Sequence, residues 1–383
     1  MMRRITAHYV FHRRSFLRNA IVSWNDDGTV AEVAVAGDRL DREANVEFYS
    51  GLLIPDLVDA HCHLELSHLR GLIPPGGGFT AFVRGMGTTR GAVGPRERAA
   101  AIARADETLW RQGVGAVGDV SNGESSFAVK AASRIHYVTF LELFGLQTAS
   151  ADALAPVADA ARRCGLRAGI TPHSTYSLND GAFRSAVQAG GPTPLSIHFM
   201  ESPAEAELFA GRGELAAWYA ERGTAIDFAS YGSPAGRIVA SVPADRDLLL
   251  IHNCCVTEAV VDRIEACFPG RVTWVLCPRS NDYISHLTPP VGLLRRKGVR
   301  IAVGTDSLAS NDSLDMVAEL RQLGDVPLEE LLTWATCNGA RALGVERELG
   351  GFEPGSRSGA VLLTGIDWEK MRLTENSRSE RIL

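Results

Sequence analysis

The chain has 383 residues, 45% hydrophobic and 22% charged, with a formal net charge of -6 and a pI of about 6.0. These are ordinary globular values, and the acidic balance argues against a nucleic-acid or anionic-membrane surface. The seven cysteines show no zinc-ribbon spacing and are expected as free thiols. No apolar run approaches a membrane span, and MMRRITAHYVFHRRSF lacks the apolar stretch of a signal peptide, so a cytoplasmic location with no membrane partner is expected.

In chain order, residues 1–50 read as short β-strands. Phe16–Val22 and Val30–Val35 flank the turn signal Asn25-Asp26-Asp27-Gly28. From Leu53 short apolar runs alternate with amphipathic stretches. Eight strand candidates follow: Leu53–Ala60, Val114–Val120, Ile135–Leu141, Ala168–Thr171, Pro194–Ile197, Asp247–Ile251, Arg271–Leu276 and Val299–Gly304. Helical segments lie between most of them, among them Glu97–Gln112, Ala151–Cys164, Thr257–Cys267 and Leu328–Leu343. Such alternation implies βαβ units and a parallel sheet, and eight units suggest a closed (β/α)₈ TIM barrel over 51–344. The apolar strand Ala360–Leu363 is expected to pair with the N-terminal strands, so 1–50 and 345–383 would form a small β-sandwich domain from both termini. The stretch 212–246 is longer than a barrel loop needs and reads as an insertion over the site. Gly113–Gly118 matches GxGxxG but follows a helical stretch and lies within a strand, so it reads as small-residue packing rather than a dinucleotide loop.

Barrel chemistry sits where strands end. The first strand ends in His61-Cys62-His63, the fourth in His173 and the fifth in His198, with Glu201 three residues on. The sixth ends in His252, the seventh leads into Arg279 and Asn281, and the eighth ends in Asp306. His61 and His63 alternate along one strand, so both imidazoles point the same way and can reach one ion. His198 is the natural third nitrogen ligand and Asp306 the carboxylate, a donor set that suits zinc, with iron or manganese as alternatives. One divalent metal held so lowers the pKa of a bound water towards about 7. Glu201 is placed to shuttle protons, and His252 to orient the attacking water. His173, Arg279, Asn281 and Glu65 are candidates for contacting substrate, Arg279 and Glu65 equally for structural ion pairs.

The runs PDLVDAHCHLE (55–65), ITPHSTYS (170–177), SIHFMESPAE (196–205), LLIHN (249–253), VLCPRSN (275–281) and VGTDSLASN (303–311) together resemble the amidohydrolase superfamily. The pattern is similar to its cytosine, adenosine and guanine deaminase branch, and within it to S-adenosylhomocysteine/methylthioadenosine and aminodeoxyfutalosine deaminases. The resemblance implies one metal on His61, His63, His198 and Asp306, with Glu201 moving protons and His252 and Asp306 assisting catalysis. Two-metal members bridge their ions with a strand-four lysine. The only lysines here are Lys130, Lys297 and Lys370, so a lysine-bridged pair is not expected.

The implied activity is hydrolytic deamination of an aminated heteroaromatic small molecule. The stretch after His63 carries no match to the acidic ribose-binding residue of the adenosylhomocysteine enzymes. A purine base, a pterin-like ring or a non-nucleoside amine therefore stays open beside an adenine nucleoside. Hydrolysis of an amide, a cyclic amide or a carbon–chlorine bond is the alternative, and a non-catalytic metal-binding homologue the third reading. A homodimer is left open.

Overall fold

A computed structural model describes residues 2–148, 150–223 and 226–383. The N-terminal strands are β1 (Arg3–His12), β2 (Ser15–Leu17), β3 (Ala20–Trp24), β4 (Val30–Val35) and β5 (Glu47–Ile54). The expected strand Phe16–Val22 is thus two strands, because Asn19 turns at φ 52° between them. The turn at Asn25–Gly28 forms as its residues dictate, with Gly28 at φ 81° and Gly28 N–H donating to Asn25 O at 3.0 Å.

Eight further strands follow: β6 (Leu57–Cys62), β7 (Val114–Ser121), β8 (His136–Leu143), β9 (Arg167–Pro172), β10 (Leu195–Phe199), β11 (Leu248–His252), β12 (Val272–Leu276) and β13 (Ile301–Val303). β6 to β9 make one four-stranded parallel sheet and β10 to β13 another, each in sequential order. Helices such as Pro95–Arg111, Asp180–Ala189, Glu258–Cys267 and Val291–Lys297 connect the strands, as parallel pairing requires. Seven of the eight strands are almost wholly buried, as is usual for parallel sheets covered by helices, and β9 is half buried. One parallel bridge joins the sheets at each seam, Ser174 to His198 and Cys62 to Asp306. Asp59 clamps the second seam, accepting hydrogen bonds from Thr305 N at 3.0 Å and Thr305 Oγ1 at 2.5 Å.

Two C-terminal strands, β14 (Val361–Asp367) and β15 (Arg372–Arg381), complete the chain. β14 pairs antiparallel with β5, Val361 opposite Ile54, as the apolar run at Ala360 predicts. Both chain ends therefore build one sheet of seven strands, ordered β15-β14-β5-β1-β3-β4 with β2 beside β1.

The expected strand Leu53–Ala60 divides between two sheets. Pro55 cannot donate to a ladder, so pairing breaks there. Leu53 and Ile54 stay in β5, and Leu57 begins β6. Asp56 anchors the crossing, ion-paired to Arg381 at 2.7 Å and accepting from Gly359 N at 2.8 Å. In β7 the rejected GxGxxG glycines pack closely: a Cβ at Gly118 would lie 2.6 Å from Ala60 O, and one at Gly115 2.6 Å from Asp56 Cβ. The helical run 328–343 is wound as a π-helix over Trp334–Asn338.

Candidate active site

At the C-terminal ends of the parallel strands four imidazoles converge. Ring centroids of His61 lie 4.9 Å from those of His63 and His198 and 5.9 Å from that of His252. One donor atom each from His61, His63 and Asp306 lies within 4.8 Å of the others, and the same holds for His61, His198 and His252. His61 lies in β6 and His63 one residue past its end, and both imidazoles reach the cluster. His198 is the last residue but one of β10, and His252 ends β11. His252 at φ 77°, Asp306 at φ 57° and Met200 at φ 48° hold left-handed backbone, a strain that non-glycine residues carry where the fold fixes a functional side chain.

His61 and His63 lack partners of their own. Both ring nitrogens of His61 and Nδ1 of His63 are buried with no hydrogen bond. Nε2 of His63 faces Nε2 of His198 at 3.3 Å, a contact in which only one nitrogen can donate. Burial, then the charge of His61, holds the His63 imidazole well below its ordinary value. Burial and the neighbouring His173 lower His198 to about 3. The rings share one space lined by nitrogens without partners, which a bound cation would satisfy.

Asp306 is set against them. Its Oδ1 lies 3.6 Å from His61 Nε2 and 3.5 Å from His63 Nε2, while Oδ2 accepts from Ser280 Oγ at 2.5 Å and Ser310 Oγ at 2.8 Å. Burial pushes this carboxyl up, but the histidines outweigh it and hold it well below the usual range.

Glu201 is buried beside His252, Oε1 at 3.7 Å from Nε2. Burial first, then the carboxylates of Asp306 and Glu205, push the Glu201 carboxyl well up. Asn281 Nδ2 lies 2.9 Å from His252 Nδ1. An amide donating there leaves neutral His252 with its proton on Nε2, facing Glu201. Arg279 and Asn281, beyond the seventh barrel-type strand, sit in the first turns of the helix Pro278–Ser285, started by Pro278.

The remaining candidates lie around this cluster. His173 stacks on His198 at 4.5 Å, its carbonyl accepting from His198 Nδ1 at 2.8 Å. Arg279 is ion-paired to Asp312 and donates to Ser313 Oγ at 2.7 Å. Glu65 is buried with both oxygens engaged, by Arg90 Nη2 at 2.7 Å and Asn122 N at 3.1 Å. Asn122 also donates to Glu142 Oε2 at 2.7 Å, and Glu142 Oε1 lies 3.6 Å from His198 Nδ1. Glu142 escaped the sequence reading, although it ends a strand as the histidines do. Ser280 and Ser310 lie inside the quoted runs and were passed over because a serine alone carries no such signal.

The described residues of 212–246 lie against the segment that follows β9. Its helix Gly213–Glu221 joins an apolar cluster with Phe79, Tyr176 and Phe228, while Ala235 and Ile238 of the helix Pro234–Ser241 pack into the main core. Tyr219 Oη donates to Tyr176 O at 3.1 Å, and Tyr176 meets His173 edge-on at 5.9 Å. Arg237, fully buried, donates to Thr175 O at 2.6 Å and Leu178 O at 3.0 Å.

Known proteins share this frame. Aminodeoxyfutalosine deaminase of Deinococcus radiodurans is 30% identical over 373 residues, spanning 89% of this chain and 84% of the relative. A 5-methylthioadenosine/S-adenosylhomocysteine deaminase of Teredinibacter turnerae is 30% identical over 208 residues, 50% of this chain and 42% of the relative. The crystal structure of Helicobacter pylori aminofutalosine deaminase with methylthio-coformycin superposes with a TM-score of 0.81 at 24% identity, covering 94% of this chain and 92% of that one. An adenosine deaminase from Xanthomonas campestris with bound zinc gives 0.75 at 24%, covering 97% and 87%. The sequence pattern of the amidohydrolase family runs through residues 52–376, across both parallel sheets and every strand end that carries the cluster, and the chain belongs to that family.

Proposed function

We propose that this chain is a hydrolytic deaminase of an adenine-nucleoside-like compound, working with one zinc ion at His61, His63, His198 and Asp306. The observation that carries this reading is the cluster of buried imidazole nitrogens without hydrogen-bond partners, set beside the carboxyls of Asp306 and Glu201. Nitrogen and carboxylate donors suit zinc, and the zinc of the Xanthomonas relative supports that choice. The two sheets, bridged at both seams, are proposed to close as an eight-stranded barrel, with the chain-end sheet as a separate small unit.

Deamination adds water to the ring carbon that bears the amine, breaks the carbon–nitrogen bond and releases ammonia. When bound, the metal supplies Lewis-acid activation of the water at neutral pH. Glu201 carries the protons, taking one from the water and giving it to the ring nitrogen or departing amine. His252, fixed by Asn281, holds the water's orientation through Nε2–H. Ser280 and Ser310 hold Asp306 Oδ2 and so aim the carboxylate. Names of the relatives favour an adenine ring as substrate.

The test is ammonia release by zinc-loaded protein against adenosine, methylthioadenosine, S-adenosylhomocysteine, aminodeoxyfutalosine, adenine and guanine. Release from one of the nucleosides, lost on chelation, is expected. Silence across the set with about one zinc per chain overturns the substrate class. Glu201→Gln should abolish turnover while metal content stays unchanged, and retained turnover removes the proton-shuttle role.

A further inference from the structure

The opposite ends of the strands carry a different pattern. Arg167 opens β9, Arg271 immediately precedes β12, Arg300 immediately precedes β13, and Arg246 lies two residues before β11. With Arg341 they line a cleft of about 370 Å³, within the range of small-ligand sites. Only Arg271 has a carboxylate partner, Asp247 at 3.1 Å; among the described residues no ion pair forms at Arg167, Arg246, Arg300 or Arg341.

Three of these guanidiniums are held by neutral groups. Arg167 donates to Gly344 O at 3.2 Å, Arg246 to Gly191 O at 3.3 Å and Thr193 O at 3.2 Å, and Arg300 to Gly270 O at 3.0 Å. Those bonds fix position without cancelling charge. Nε of Arg246 is buried with no partner at all. Glycines make room for the heads: a Cβ at Gly344 would lie 3.0 Å from Arg167 Nη2, and one at Gly190 2.4 Å from Arg246 Nη2. Burial and the like charge of Arg341 both disfavour the Arg300 cation. Asp245 and Glu346 also line the cleft, so five guanidiniums face three carboxylates. A local excess of two positive charges on a chain of net charge -6 calls for a dianion.

We propose that this cleft binds a small phosphate-monoester dianion, at a site separate from the histidine cluster. Guanidinium forks match phosphate oxygens in pairs, and those in place here need little reordering to engage one. The probe is sn-glycerol 3-phosphate, titrated calorimetrically into zinc-loaded protein at low and at physiological ionic strength. One saturable site per chain is expected. Its Kd should weaken about ten-fold or more in Arg246→Met/Arg300→Met, since two charge-assisted contacts are lost. Arg341 is exposed and donates no side-chain hydrogen bond among the described residues, so Arg341→Glu tests the same site with the packing intact and should weaken Kd likewise. No saturable heat, or equal affinity in both variants, overturns the proposal. So does binding that disappears when zinc is removed, which would locate it at the histidines. Binding of a single-stranded oligonucleotide without binding of glycerol 3-phosphate overturns it too.

Discussion

Asp306 shows how single side chains set the chemistry. Two hydroxyls hold one of its oxygens, so the other is left for the histidine side. Such outer contacts are worth about 10–100-fold in metal affinity. Ser280→Ala/Ser310→Ala should therefore weaken zinc binding by that factor in a chelator competition, and an unchanged affinity would show that the hydroxyls only fill space. A second acid reports on stability. Burial pushes Glu319 from an ordinary 4.5 up to about 8, against hydrogen bonds from Arg279 N and Asn311. Between those two values the folded chain holds a proton that the unfolded chain releases. Stability is then greatest below about pH 4.5 in this term and falls as pH rises through about 8. Urea unfolding between pH 6 and 9 should show this decline, and Glu319→Gln should flatten it. The slope is the readout, because the substitution also alters one hydrogen bond. An equal slope in both proteins would refute the assignment.

Among the elements, the insertion is tied down most tightly at Arg237. Its guanidinium serves two buried carbonyls and lies over the rings of Phe183 and Phe228. Arg237→Met leaves those carbonyls unpaired and should cost about 2–4 kcal/mol in urea unfolding. Because Thr175 and Tyr176 adjoin His173, KM should rise more than kcat falls; a loss confined to kcat would contradict this placement. The elements were also the level most legible in the sequence. Each of the eight strand candidates has its counterpart within a few residues, because fully buried parallel strands print as apolar runs. What escaped lay in the joints. Pro55 divides a continuous apolar run between two sheets, and Asn19 divides another, since hydrophobicity alone does not mark where pairing partners change. The site was legible wherever a ligand-type residue ended a strand. His61, His63, His198, His252 and Asp306 converge as that rule predicts. Glu142 met the same rule unnoticed, and the left-handed backbone at His252 and Asp306 has no glycine or asparagine to announce it.

For the whole molecule, two sheets meet at seams where few backbone bonds cross. His61 and His63 come from the first sheet, and His198, His252 and Asp306 from the second. A cation shared between them binds the folded form alone, so zinc at about 1,000 times its Kd should add about 4 kcal/mol to stability. Thermal unfolding with and without chelator measures it, and an unchanged midpoint would count against a metal spanning the seam.

That division between sheets also sets an order in time. A chain emerging from the ribosome exposes His61 and His63 roughly 240 residues before Asp306 appears, by the numbering of the cluster alone. The full donor set for the proposed ion therefore exists only once residue 306 of 383 has been made, and a nascent chain stalled before it should release zinc to a weak chelator that the finished protein resists.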